Sequence, residues 1–528
     1  MAKQPPVFLR EATGLVREVS WYSVFTFGTS VMGWQFTFNY ILSLAPLIGG
    51  SLWVGFLAMT LATLSSILVF WTFMVIMPRT GGDYVFVSRQ LHPLLGFIGN
   101  ASYGIFLLLF AAINGVTIET TALSTLFAYL GTVYNNPSLT NLASTVSAPT
   151  WIIGLGLLWI ILGACVAILS TKLYFRIQNL MLILVLIGAL AMIGTLVAVS
   201  QNSFASAFNA FAAQYMGKSA DYYSNVTNTA TANGWTLPDT TSLYAGLMFF
   251  PLITVGGWYS NYGSQIAGEI RNPKRSYLLG TLAGAALYIG LTAITLAVCY
   301  NSMGFNFLSA INYLLYNKPD AIPLPALPYA ILLIAIASHP AIGTLIIFTG
   351  FLQLFIYIPS AYLYMSRGFF AYSFDRLIPE SFAKVSDRTH GPVFAVVICA
   401  VISAIFFAIV NIPQSATYAY LFSSVTSVNP FPMITVGLIA ILVCIRKPPS
   451  YGLLPMKGWK LVLAGLTMIC TTIVCMYLLL EEPVYGANTP IALELFLGLF
   501  VVLILVYLYA WVRRRDTLSL VFKEIPPE

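Results

Sequence analysis

One apolar run after another sets the terms on which this chain can fold. Runs at residues 19–46, 52–77, 95–131, 151–170, 177–200, 243–268, 277–300, 341–366, 393–411, 415–444, 459–480 and 489–512 are each long enough to cross a bilayer core as a helix, which takes about 20 residues. Lipid offers no partner to an exposed peptide group, so each run must close its own backbone hydrogen bonds, as a helix does. The expected fold is an all-α polytopic membrane protein with twelve transmembrane helices. Composition points the same way: 59% of the 528 residues are hydrophobic and 8% are charged, where soluble proteins carry roughly a quarter charged. One further apolar piece, Tyr329 to Ser338, lies among Pro323, Pro325, Pro328 and Pro340. It is too short to span and is expected to form a re-entrant or surface helix.

The basic residues orient the runs. With both termini on one side, the loops of that side collect all but two of the 24 Lys and Arg residues, the exceptions being Lys218 and Lys318. Cytoplasmic loops are the ones enriched in Lys and Arg, which predicts a multi-pass protein of the cytoplasmic membrane with both termini cytoplasmic. Counting Tyr329 to Ser338 as a span would put the basic 367–388 loop outside. The net charge of +7 is thus a matter of topology and implies no nucleic-acid partner. All six cysteines fall in or at the edge of apolar runs, so they read as small core residues rather than a disulfide framework. The N-terminal tail lacks the apolar core of a signal peptide. Residues 201–242, rich in Ser, Asn, Thr and Ala, read as an exposed outer loop over a cavity mouth. Within it Asn225-Val226-Thr227 matches a glycosylation acceptor triplet.

Two runs carry interruptions. In the stretch from Leu243 to Arg275, Gly256-Gly257 breaks the apolar run, with Trp258 behind it. In the first run, Gly28 to Trp34 interrupts a helix that would otherwise continue to Leu44. Broken backbone at membrane depth survives only where it lines a buried or watery cavity, although paired glycines also serve close helix packing. The two interruptions fall in the first and sixth runs. Glycine-broken segments in corresponding positions of two halves are the sequence pointer to the binding site of an inverted-repeat transporter, and five helices per half, being odd, insert the second half upside down. Half-helix N-termini then suit a carboxylate, and carbonyl ends a cation.

The loops carry three motifs. Pro78-Arg79-Thr80-Gly81-Gly82-Asp83-Tyr84 to Arg89 resembles the P-x-[ST]-G-G-x-Y loop after the second span of amino acid permeases in the amino acid-polyamine-organocation (APC) superfamily. Glu269-Ile270-Arg271-Asn272-Pro273-Lys274-Arg275 resembles their E-x-x-N-P-x-[KR] segment after the sixth span. Ser366-Arg367 to Asp375-Arg376-Leu377-Ile378-Pro379, with Phe382 and Pro392, resembles the loop after the eighth. The motifs stand in the family's order and at its distances over roughly residues 15–480. This resemblance implies a five-plus-five inverted repeat with broken helices one and six, in which residues 19–444 form the transport core. Residues 445–512 hold two peripheral spans, and 1–18 and 513–528 are cytoplasmic tails. Carried over position by position, Ser30, Val31, Met32 and Gly33 stand where the family's first-span backbone takes a substrate carboxylate. Gly256, Gly257 and Trp258 stand where sixth-span carbonyls take the amino group and an aromatic ring covers it. The chain departs from the pattern in reading Met32-Gly33-Trp34 in place of G-x-G, and Asn261 near a position that is acidic in many members.

Intramembrane polar groups are functional candidates by default. Glu119, in the third run, reads either as a proton or amine site or as a structural carboxyl, and Glu494 as an interfacial residue. Thr349, Gln353, Tyr357 and Ser360 recur at helical spacing in the eighth run, so they share one face. Helix–helix bonding is one reading of that stripe, and the resemblance implies a second, in which the eighth span faces the first and Ser360 supplies a hydroxyl to a sodium ion. Asn261 is a candidate for gating or coupling. Asp375, Arg376, Arg79 and Arg271 read as loop anchors or gate ion pairs. His92, His339 and His390 are scattered and form no metal set.

The expectation is a secondary transporter that moves amino acids or related organic amines by alternating access. It has no catalytic residues, no metal and no cofactor, and either H+ or Na+ as coupling ion. A polytopic membrane enzyme would need paired carboxylates, histidines or a metal set at one level. A passive channel would need a charged or carbonyl-ring filter.

Overall fold

A computed structural model describes residues 14–32, 34–216, 221–318, 339–427, 430–482 and 485–525 of the chain. Gly33, Lys218, the tail up to residue 13 and the short Tyr329 to Ser338 piece lie outside the described residues. Among the described residues the protein is helical throughout, with no strand beyond one parallel bridge between Val19 and Ile270. Among the described residues, nine helices are long and apolar enough to cross a membrane, or ten if the bent pair Leu243–Thr254 and Gly256–Glu269 is one span. The first apolar run is described as Trp21–Met32 and Trp34–Ile48 and the tenth as Pro413–Ser427 and Pro430–Arg446, each pair separated by residues outside the described set.

Local sequence explains where the long helices begin. Pro93, Pro149, Pro273, Pro340 and Pro490 each stand in the first turn of one, where a missing N–H costs nothing and the fixed φ is already helical. His92 caps the third run, its Nδ1 accepting from Leu94 N at 3.2 Å. The eighth-run helix, Pro340–Phe374, runs through Pro359 and is buried along most of its length. It packs on the helices of the first, third, fourth, fifth and ninth runs. Trp21–Met32 lies against it, against Thr171–Ala198 and Pro273–Cys299, and against Tyr259–Glu269. The first, sixth and eighth runs therefore meet at the centre.

Residues 201–242 are not a plain loop. They fold into Gln201–Met216 and Tyr222–Ala232. Phe204, Phe208 and Ala212, then Tyr222, Val226 and Ala230, are buried, each set at the four-residue spacing that places side chains on one face. Tyr222–Ala232 packs on Phe305–Asn317, with the Tyr223 and Phe307 rings stacked at 4.4 Å. Asn312 Nδ2 of that helix donates to Leu42 O at 2.9 Å, tying this cap to the far end of the first run. Asn225 of the acceptor triplet sits inside the helix.

Candidate functional site

The sixth-run interruption takes a form different from the one expected, and the first-run interruption falls partly outside the described residues. In the first run, Gly28 to Met32 remain helical, so any departure falls no earlier than Gly33. In the sixth run Gly256 and Gly257 are helical too, because Phe250–Trp258 runs through them. The chain instead bends by 43° between Leu243–Thr254 and Gly256–Glu269 and continues from Tyr259 to Glu269 as a 3-10 helix. The glycines serve close approach. A side chain at Gly256 would run into the ring of Tyr288, and one at Gly257 into Thr63 Oγ1, with Met59 Cε at 3.4 Å. Trp258, the next residue, is buried, and its Nε1 has no hydrogen-bond partner among the described residues.

Part of the eighth-run stripe faces the first run. Gln353 Nε2 donates to Ser30 O at 2.8 Å, and Ser360 Oγ lies 3.4 Å from Ser30 Oγ and 3.0 Å from Tyr174 OH. Ser360 also donates its hydroxyl hydrogen to Ile356 O at 2.8 Å. Val31 is buried beside this contact. The rest of the stripe turns elsewhere: Thr349 faces Gly188 of the fifth run, and the Tyr357 ring meets Phe110 of the third at 5.0 Å. Gln353 and Ser360 thus bond to other helices, whereas Thr349 Oγ1 donates to Ile346 O of its own helix at 2.9 Å.

Asn261 is a clamp. Its Nδ2 donates to Ser66 Oγ at 3.0 Å and its Oδ1 accepts from Tyr277 OH at 3.1 Å, joining the second, sixth and seventh runs. Glu119 is buried in a π-helical turn, Ile118–Leu123, a distortion that recurs at functional sites. Its Oε1 accepts from Trp159 Nε1, and Oε2 has no partner among the described residues. Glu494 is exposed near the start of the last helix.

The three loop motifs converge on one buried polar face, on the side of the basic loops. Gly81 and Gly82 turn the chain at φ +108° and +50°, a region that L side chains rarely enter, and Gly81 N donates to Gln265 O at 3.0 Å. The turn delivers Tyr84 and Arg89 to Asp375: the phenol donates to Oδ2 at 2.6 Å, and the guanidinium reaches both carboxylate oxygens, with Nη2 to Oδ1 at 2.7 Å. Burial alone would weaken the Arg89 charge, but Asp375 outweighs it and holds the group above its ordinary value. Nearby, Arg367 grips Glu269 through Nε–Oε1 at 2.9 Å and Nη2–Oε2 at 3.1 Å, and Thr171 Oγ1 donates to the same carboxylate at 2.8 Å. The backbone joins in, with Val19 N donating to Glu269 O at 2.9 Å and Arg271 N to Val19 O at 2.8 Å. Asp375 thus forms a buried ion pair with Arg89. Arg376 and Arg271 are backbone anchors: Arg376 O accepts from Arg514 at 2.9 Å, and Arg271 Nε donates to Arg17 O at 3.1 Å. Arg79 Nη1 donates to Pro78 O at 3.4 Å.

Sequence reasoning missed the pairing of Glu269 with Arg367 and the buried Asp83, although all three stand within the quoted motifs. Hydrogen bonds to a charged group are worth about 1.5–3 kcal/mol, so Tyr84→Phe should lower stability by about that amount. Thermal denaturation in detergent checks it, and an unchanged midpoint would show that the phenol contributes nothing to holding Asp375.

A narrow cavity opens between this face and the bend of the sixth run. Phe70, Asp83, Tyr103, Trp258, Tyr262 and Tyr364 contribute to its wall. Of the sequence candidates for substrate contact, Trp258 lines this cavity, and Ser30, Val31, Gly256 and Gly257 are buried.

A family model described as amino acid permease matches residues 19–509 of the chain. No curated protein sequence matches it.

Proposed function

Since the chain belongs to the amino acid permease family, which is a family of transporters rather than of enzymes, we propose that it is a secondary active transporter of amino acids or related organic amines, working by alternating access. The bend of 43° in the sixth run, set against the first-run helix and beside the buried Nε1 of Trp258, which has no hydrogen-bond partner among the described residues, is the observation that supports this reading best. In it, the backbone of Ser30, Val31, Met32 and Gly33 takes the substrate carboxylate. Gly256 and Gly257 supply carbonyls to the amino group, and Trp258 covers the solute. Twelve spans, a five-plus-five inverted repeat over residues 19–444, peripheral spans in 445–512 and both termini at the cytoplasmic face complete the proposal.

Alternating access requires one helix bundle to move against another around the site. The buried Glu269–Arg367 and Arg89–Asp375 pairs fasten the basic-loop side and would have to part when that side opens. A proton or a sodium ion drives the cycle, with Glu119, Asn261 and Ser360 as the residues to examine for coupling. Asn261 bridges Ser66 and Tyr277, and Ser360 donates to Ile356 O.

Uptake of labelled amino acids into proteoliposomes, with a pH or sodium gradient imposed separately, tests the reading. Accumulation against a gradient is expected with one of the two ions, and flux indifferent to both would point to a passive pore. In the same assay Trp258→Ala should raise the apparent KM by about 5–30-fold, the equivalent of a desolvated cation–aromatic contact of about 1–2 kcal/mol, with Trp258→Phe intermediate. An unchanged KM in Trp258→Ala would remove the ring from the site.

A further inference from the structure

We propose that the basic-loop end of the fifth-run helix holds one anionic phospholipid, its phosphodiester seated at Lys172 and Arg176 and an acyl chain laid along the apolar stripe that continues from them. The proposal concerns the lipid boundary of the protein and does not depend on what the protein carries or on the coupling ion.

The headgroup site is a cavity of about 150 Å3 between the start of Trp21–Met32 and the start of Thr171–Ala198, walled in part by Glu18, Ser23, Lys172, Phe175 and Arg176. Its uncharged polar groups are already engaged. Thr171 Oγ1 donates to Glu269 at 2.8 Å, Asn179 Oδ1 accepts from Thr26 Oγ1 at 2.6 Å, and the Ser23 hydroxyl lies 3.3 Å from that of Ser20. The charged groups are not: Lys172, Arg176 and Glu18 form no ion pair among the described residues. Two cations against one carboxylate leave a single positive charge, equal and opposite to that of a phosphodiester, and Lys and Arg are strong donors to phosphate oxygens. Glu18 repels a second anionic group, so the match is to one phosphodiester rather than to a polyphosphate.

The face on which the two cations stand identifies the source of the phosphate. Lys172, Arg176, Leu180, Ile183, Ile187 and Leu190 follow one another at every third or fourth residue and are all exposed, so they form one continuous stripe along the helix. The apolar part of the stripe is open, with Leu180 60%, Ile183 43%, Ile187 47% and Leu190 64% exposed. At about 1.5 Å per residue, Ile187 stands about 16 Å along the axis from Arg176, the depth of one leaflet of a hydrocarbon core roughly 30 Å thick. Trp21, 47% exposed, opens the helix on the other side of the cavity, and its amphipathic ring is of the kind that settles at headgroup level. A soluble anion uses the cavity alone, whereas a phospholipid uses the cavity and the stripe together.

The test titrates the purified full-length chain in detergent with three probes, and native mass spectrometry reads the binding. The probes are dioleoyl phosphatidylglycerol, dioleoyl phosphatidylcholine and glycerophosphoglycerol, the last being the first headgroup without its chains. One phosphatidylglycerol is expected to bind at least fivefold more tightly than phosphatidylcholine, with no binding of glycerophosphoglycerol at the same concentration. Lys172→Gln combined with Arg176→Gln should weaken phosphatidylglycerol by about tenfold or more, since each basic residue near an anionic lipid surface is worth about fivefold. Glu18→Gln should tighten it about two- to fivefold by removing the opposing charge. Equal affinity for the two lipids in the unaltered protein overturns the proposal without recourse to a variant. So does a double variant that binds phosphatidylglycerol as before, or Glu18→Gln that weakens it. Glycerophosphoglycerol bound as tightly as the lipid also overturns it, and would mark a site for a soluble phosphodiester instead.

Discussion

Arg367→Met is expected to destabilise the folded protein by about 3–5 kcal/mol, the usual cost of leaving one member of a buried ion pair without the other. Arg367 is 2% exposed and Glu269 1%, so water cannot replace the lost guanidinium. Removing the two bonds from Arg367 leaves Thr171 Oγ1 as the remaining side-chain donor to Glu269. The damage should spread, because the same residue's carbonyl accepts from Val19 N and so positions the start of the first-run helix. Glu269→Gln combined with Arg367→Met removes both charges and should recover most of the loss, since a buried pair replaced as a whole is often close to neutral. Thermal denaturation of the four proteins of this cycle in one detergent measures the coupling. Arg367→Met as stable as the parent, or a double variant worse than Arg367→Met alone, would contradict the account of this pair.

Gly257→Leu is expected to abolish transport while leaving membrane insertion intact. Insertion depends on the apolar character of the run, which leucine raises. Function depends on the approach of the sixth run to the second, where even a Cβ on Gly257 meets Thr63 Oγ1. Overpacking of this kind costs about 1–3 kcal/mol when neighbours must shift, and here the shift displaces Trp258, the next residue along. A graded control separates packing from chemistry. Gly257→Ala alone should lower stability, and Thr63→Ala should restore it by vacating the clash, because Thr63 Oγ1 is buried with no partner among the described residues to lose. Proteoliposome uptake and surface expression are the two readouts. Full uptake by Gly257→Leu would show that neither the close contact nor the proposed site has the importance given to it.

These two positions mark how far the sequence could be read. Gly257 was visible as a place where a helix had reason to be irregular, but two purposes fitted a glycine pair, backbone exposure to a ligand and approach to a neighbour. The neighbours, Tyr288 and Thr63, are the evidence for the second, and nothing local names them. Arg367 was visible as a motif residue in one loop and Glu269 in another, 98 positions away. Their pairing depends on how the eighth-run helix lies over the end of the sixth. Asp83 passed as a motif letter, because nothing in its neighbours along the chain tells that it is buried or that the arginines of its face are already taken. The helices in 201–242 are a different kind of miss. The four-residue spacing of Phe204, Phe208 and Ala212 was present, but polar residues between them lowered the mean hydropathy of the segment and hid the period.

The sequence by itself determined that this chain must be helical and membrane-embedded, because hydrocarbon leaves an apolar run no other way to satisfy its peptide groups. Its loop motifs, at their order and spacing, also carried the family. Tertiary structure alone decided which buried charges neutralise one another, which glycines are contacts, and which buried carboxylate has no ion pair among the described residues. Those outcomes turn on separations of a few ångströms between segments far apart in the chain, and electrostatic and packing energies at that range depend on who the neighbour is rather than on what precedes or follows in sequence.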